Sequence, residues 1–138
     1  MYYIISSLVQ YGGVVLKIEF DEKIPIYLQI MKAIKQEIAT ANLKAGDKLP
    51  SVREMAEILK VNPNTVQRAY QELEREQITY TQRGMGTFIT NDVQKLKSLK
   101  KEMAMELVTS FVNEIKNLGF NMDEIIEIVK ESLEREVK

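Results

Sequence analysis

"VNPNTVQRAY", residues 61–70, decides how the whole chain reads. A proline stands between two asparagines, and the helix that must follow opens on a polar turn. Packing alone gives no reason to gather Asn62, Asn64, Thr65, Gln67 and Arg68 so closely. Asn62 fits a helix N-cap, and Pro63 fits the first helical position, where its missing N–H costs nothing. Val66, Ala69, Tyr70 and Leu73 then recur at helical spacing and make an inward face. Glu72, Glu74 and Glu76 crowd the far end.

Just upstream, Ser51 and Glu54 have the spacing of a capping box, in which each side chain satisfies an unpaired backbone N–H of the other. That opens a helix stopping near Lys60, with Val52, Met55, Ala56 and Leu59 inward. Only Val61 and Asn62 separate its end from Pro63. Further back, Pro25 precedes Ile26, Ile30, Ile34 and Ile38, one apolar stripe on a helix running to about Thr40. "ANLKAGDKLP" (41–50) holds a Gly-Asp turn, ends in proline and reads as a loop. Downstream, "ITYTQ" (78–82) and "TFIT" (87–90) alternate with period two around "RGMG", which reads as a β-hairpin. Helix, helix, tight turn, helix, hairpin is the order of a winged helix-turn-helix.

The bulk properties exclude several classes. The chain has 138 residues, 45% apolar, with no cysteine and no histidine. Disulfides, thiol chemistry, Cys/His zinc sites and histidine-based catalysis are therefore ruled out. No metal or cofactor is expected, and a reducing cytoplasm is compatible with this composition. No apolar run approaches the roughly 20 residues of a membrane span. The net charge of −1 is unusual for a nucleic-acid binder, and residues 1–92 alone balance 11 basic against 11 acidic side chains. Any site for a polyanion must come from local arrangement.

Residues 1–16, "MYYIISSLVQYGGVVL", carry no charge and lack the basic start of a signal peptide. Two readings stand: a strand or arm lying on the domain, or an extension upstream of a natural start near Val14 to Leu16. "KIEFDEKIPIY" (17–27) reads well as a beginning. From Val93 the character changes. Leu96, Leu99, Met103, Leu107, Phe111, Ile115 and Leu118 keep helical spacing, and Val108 and Val112 widen the stripe. Gly119 ends that helix, and Asn121 with Glu124 caps a last one carrying Met122, Ile125, Val129, Leu133 and Val137. Two helices cannot bury a sufficient core alone. Pairing with a second copy as a four-helix bundle is the simplest solution, through Leu99, Met103, Leu107, Val108, Phe111, Val112, Ile115, Ile125, Val129 and Leu133. Folding back onto the N-terminal domain is the other.

The expected architecture is mainly α with a small β-hairpin. Residues 1–16 form an extension, 17–92 a winged helix-turn-helix domain, and 93–138 a helical dimerisation hairpin. On that frame the polar turn has a use. The opening residues of a recognition helix face base edges in the major groove. Asn and Gln pair with adenine, Arg with guanine, and Thr contacts a base or a phosphate. Asn64, Thr65, Gln67 and Arg68 hold that end. Arg53 reaches a phosphate or the groove edge, the N–H groups at the starts of both helices add phosphate donors, and Arg83 sits at the wing tip. Each piece also has a plain use. Asn62 and Asn64 cap helices, "RGMG" makes a tight turn, and arginines decorate surfaces. Their co-occurrence in this order is what points to DNA.

"LPSVREMAEILKVNPNTVQRAYQELEREQITYTQRGMGTFIT" (49–90) resembles the DNA-binding domain of the GntR family of bacterial transcription regulators. "PIYLQIMKAIKQEI" (25–38) looks like that family's first helix, and the two-helix tail resembles its YtrA-like branch. The resemblance implies DNA contacts from Ser51, Arg53, Asn62, Asn64, Thr65, Gln67 and Arg68, and from Arg83, Gly84, Gly86 and Thr87 on the wing. Some branches carry arginine at Pro63 and Gln67, so their base preference does not transfer. Gln77 stands where glycine is usual, so the turn before the wing is expected to differ.

The resulting expectation is a homodimeric, sequence-specific regulator, a repressor, on a two-fold-related operator. The rival is a protein-interaction module on the same scaffold. An enzyme is not expected. A two-helix tail leaves little room for a small-molecule pocket of roughly 300–1,000 Å³, which puts any effector at the dimer interface or between domains.

Overall fold

The computed structural model describes residues 9–11, 14–16 and 18–137, with side chains from Ile18 onward. Within the N-terminal stretch, β1 (Val9–Tyr11) pairs antiparallel with β2 (Val14–Leu16), in keeping with a strand in that segment. Residues 1–8 and 12–13, on which the two readings of the extension also rest, lie outside the described residues.

Helix α1 (Ile26–Ala39) follows Pro25, whose extended backbone leads into the first turn. The Gln29 amide donates to the Asp21 and Ile24 carbonyls at 2.7 and 2.8 Å, and its oxygen accepts from the Asp21 N–H at 2.7 Å. These bonds fasten the entry loop to the helix. Ile30, Ile34 and Ile38 are buried, together with Met31 and Ala33, but Ile26 is exposed. The stripe expected from Ile26 begins one turn later, because Ile26 lies on the rim of an open hollow beside Asn64 and Arg68 and not in the core.

Helix α2 (Val52–Leu59) opens on the expected capping box: the Glu54 N–H donates to Ser51 Oγ at 3.1 Å and the Ser51 N–H to the Glu54 carboxylate at 3.3 Å. Met55, Ala56 and Leu59 are buried. Lys60 then takes a left-handed backbone, φ 56°, and the Val61 N–H reaches the Ala56 carbonyl at 3.1 Å. Helix α3 (Pro63–Arg75) places Val66, Ala69, Tyr70 and Leu73 in the core, as their spacing requires. The Tyr70 hydroxyl donates to the Pro50 carbonyl at 2.6 Å, inside the protein, and so holds the start of α2 against α3.

The wing is a hairpin of β3 (Thr79–Gln82) and β4 (Gly86–Ile89), paired from Thr79↔Ile89 to Gln82↔Gly86. It has a third partner that the loop reading of 41–50 did not anticipate. Lys48 bridges Phe88 antiparallel, the Leu49 N–H donates to the Thr87 carbonyl at 2.8 Å, and the Ile89 N–H donates to the Asp47 carbonyl at 2.8 Å. The segment between α1 and α2 therefore sheathes one edge of the wing. Tyr80 and Phe88 stack across the hairpin, centroids 5.7 Å apart.

The chain divides into two compact units between Lys100 and Lys101. The division lies within α4 (Val93–Lys116), not at its start where the composition changes. Leu99 is already buried in the single chain. Beyond the division, α4 turns at Gly119 (φ 90°) into α5 (Met122–Glu136), which opens on the expected Asn121/Glu124 capping box with bonds of 3.0 and 3.1 Å. No helix among the described residues is long and apolar enough to cross a membrane.

Gln77, between α3 and the wing, has φ 63°. The turn thus keeps the left-handed form that glycine favours and holds it with glutamine. The Ile78 N–H closes it onto the Leu73 carbonyl at 3.0 Å. A side chain in this conformation costs about 1 kcal/mol. Gln77→Gly should raise the unfolding free energy by about 0.5–1 kcal/mol in urea titration. No change, or a loss, would mean that the turn is unstrained.

Candidate nucleic-acid interface

With Val66, Ala69, Tyr70 and Leu73 facing inward, the other side of α3 is left to solvent. Asn62, Asn64, Gln67 and Arg68 are exposed there and Thr65 is half-buried. Asn62, Asn64, Thr65 and Arg68 line one shallow hollow of about 330 Å³ together with Ile26 and Tyr27 from the start of α1. Gln67 lies outside that hollow.

The N-terminal end of α3 carries the positive end of the helix dipole. Asn62 Oδ1 accepts the Asn64 N–H at 2.8 Å, which is the capping use of Asn62. The Asn64 side chain is not the cap acceptor and stands exposed. Ser51 Oγ accepts within its capping box, leaving its hydroxyl proton for an outside acceptor. Arg53 is exposed in the first turn of α2.

At the wing tip, the Met85 N–H donates to the Gln82 carbonyl at 2.9 Å, across a turn in which Gly84 has φ 81°. That backbone is open to glycine and strained for other residues. Arg83 and Met85 stand exposed beside it. Gly86 combines φ 121° with close packing: a Cβ there would lie 2.8 Å from Lys48 Cε. Its role in the fold is thus independent of any ligand. Thr87 is half-buried in β4, and its carbonyl holds the edge segment.

The sequence reading missed Tyr27. The Arg68 guanidinium carbon lies 3.9 Å from the centroid of its ring, and Arg68 Nη2 donates to its hydroxyl at 3.3 Å. Tyr27 lies off the buried α1 stripe and 41 residues from Arg68, so no local pattern pairs them. The glutamates at the other end of α3 hold the frame. Glu74 Oε1 accepts the Thr81 N–H at 3.0 Å, Glu76 pairs with Lys35 at 3.2 Å, and Glu72 pairs with Arg75 at 3.1 Å.

In the second unit, α4 and α5 leave much of their apolar surface uncovered. Between them runs an open groove of about 650 Å³, lined almost wholly by apolar side chains, among them Leu107, Val108, Phe111, Val112, Val129 and Leu133. Of the residues expected to pair with a second copy, Leu107, Val108, Phe111 and Leu133 are exposed, and Met103, Val112, Ile115 and Val129 are half-buried. Leu99 and Ile125 are buried within the chain.

Three helices, a tight turn into a polar-headed third helix and an edge-sheathed hairpin define a winged helix-turn-helix protein. Residues 26–89 match the family "Bacterial regulatory proteins, gntR family". The chain is 46% identical over 112 residues to the HTH-type transcriptional regulator YhcF of Bacillus subtilis (strain 168), covering 81% of this chain and 93% of that protein. It is 42% identical over 108 residues to the HTH-type transcriptional repressor YtrA of the same organism, covering 78% and 83%. A solved GntR family transcriptional regulator from Listeria monocytogenes superposes with a TM-score of 0.78 at 47% identity, over 81% of this chain and 98% of that one. The protein belongs to the GntR family, in its YtrA-like group, and is a DNA-binding transcriptional regulator rather than an enzyme.

The cap geometry makes a stability prediction separable from DNA binding. Asn62→Ala should cost about 1 kcal/mol in urea denaturation, and Asn62→Ser should restore most of it. Equal stability of all three proteins would show that the cap contributes nothing.

Proposed function

We propose that this protein is a cytoplasmic, homodimeric repressor whose two winged domains bind a two-fold-related operator. The observation that carries this reading is the cluster of Asn64, Thr65 and Arg68 around one hollow at the positive end of α3, with the opposite face of that helix sealed in the core. Amide and guanidinium groups so presented match the hydrogen-bonding edges of adenine and guanine in the major groove. Arg53, Ser51 and the helix N-termini serve as phosphate donors around them, and Gln67 extends the reading surface. Arg83 and Gly84 bring the wing tip to the adjacent backbone, with Thr87 behind them. The acidic residues lie at the far end of α3, so the chain's net charge of −1 does not oppose the contact.

The dimer reading is supported by the groove between α4 and α5. Leu107 is 70% exposed, Leu133 61% and Phe111 37%, along an open apolar groove. The same two helices of a second copy have the length and apolar face to fill it and complete a four-helix bundle. Repression is supported by the likeness to YtrA, whose name records that activity.

Fluorescence anisotropy on DNA from upstream of the protein's own gene, beside a scrambled duplex at two salt concentrations, tests the reading. Binding to the promoter duplex tighter by about three orders of magnitude or more is expected. Equal, steeply salt-dependent binding to both would reduce the interaction to backbone contacts. Arg68→Ala should cost about 1–3 kcal/mol and relax preference at one base pair per half-site. A uniform loss across sequences would make Arg68 a phosphate contact. Phe111→Glu should shift the sedimenting species from dimer to monomer, and a variant that stays dimeric would move the interface elsewhere.

A further inference from the structure

The Tyr27–Arg68 contact joins the first helix to the reading head, and its geometry bears on how an exposed arginine reads one base. A guanidinium carbon 3.9 Å over a ring centroid is in cation–π contact, and the 3.3 Å bond to the same tyrosine's hydroxyl fixes its rotation. The ring meets the cation at its central carbon, and the hydroxyl takes one of its five N–H donors. The remaining N–H groups stay free for a bidentate pair with guanine O6 and N7. Arg68 has no carboxylate partner among the described residues; the ion pairs there join Lys35 to Glu76 and Arg75 to Glu72. Nothing anionic therefore competes with the base. Tyr27 itself lines the hollow shared by Asn62, Asn64, Thr65 and Arg68.

We propose that Tyr27 is a specificity-determining positioning residue: its ring and hydroxyl hold the Arg68 guanidinium in one orientation at the head of α3, so that Arg68 reads a single guanine. A free arginine on an exposed helix samples many rotamers and loses that freedom on docking. Held on Tyr27 it is ordered beforehand. The inference rests on the reading of the chain as a sequence-specific DNA binder.

The test starts with a duplex enriched from a randomised library by the full-length wild-type protein, followed by a panel of single-base-pair variants of that duplex. Tyr27→Leu should weaken binding to the enriched duplex about three- to fivefold. The loss should fall at the same base pair whose preference Arg68→Ala abolishes, and the double variant should bind no worse than Arg68→Ala alone. Tyr27→Phe, which keeps the ring and loses the hydroxyl, should recover most of the preference. Thermal melting checks that each variant folds. An unchanged base preference in Tyr27→Leu, or a uniform loss over the whole panel, would overturn the positioning role while leaving the regulator reading intact. Failure of the wild type to enrich any sequence would overturn both.

Discussion

Between Leu59, the last residue of α2, and Pro63, the first of α3, the chain has only Lys60, Val61 and Asn62 in which to reverse direction. Lys60 does so with a left-handed backbone, and Asn62 receives the new helix by accepting the Asn64 N–H. Leu59 and Val66, on either side, are both fully buried, so the angle between the helices is set by the core and not by the turn alone. Pro63 prevents α3 from extending backward, since the residue before a proline disfavours helical backbone. The polar residues that follow therefore begin at the surface. Everything that the reading head presents depends on this short connection.

The rest of the first unit braces it. The Tyr70 hydroxyl binds the Pro50 carbonyl and fixes where α2 starts. At the other end of α3, Gln77 turns the chain into the wing, and Glu74 takes the Thr81 N–H. Carboxylates at a helix C-terminus sit at the unfavourable end of the dipole. Here they are engaged by Arg75, by Lys35 and by the hairpin backbone. This arrangement lets a nearly neutral chain keep one end of α3 free of acidic groups. Local distribution of charge, more than its sum, is what suits the surface to a polyanion.

Local rules made much of this legible. The core face of α3, that of α2 apart from the half-buried Val52, both capping boxes and the hairpin follow from spacing and from cap or turn residues within a few positions of each other. What escaped depends on distance along the chain. The segment around Lys48 is a loop, as it reads, but its single bridge to Phe88, far downstream, leaves no local signal. Ile26 continues a stripe by sequence yet ends on an open hollow outside the core. Leu99 falls on the apolar stripe of α4 but is buried before any second copy arrives. Tyr27 is invisible as a site residue because its partner is reached only through the packing of α1 on α3. Gln77 shows the opposite case: a sequence departure suggested a changed turn, and the fold absorbed the strain instead.

In the proposed dimer, two reading heads of this kind meet DNA together, in fixed register. Hydroxyl-radical footprinting of the wild-type protein on a duplex that it enriches tests that claim most directly. Two protected patches of like width on one face of the duplex are expected. Their centres should be related by two-fold symmetry and spaced by about one helical turn, or a multiple of it. A single patch, or protection spread evenly along the duplex, would contradict it.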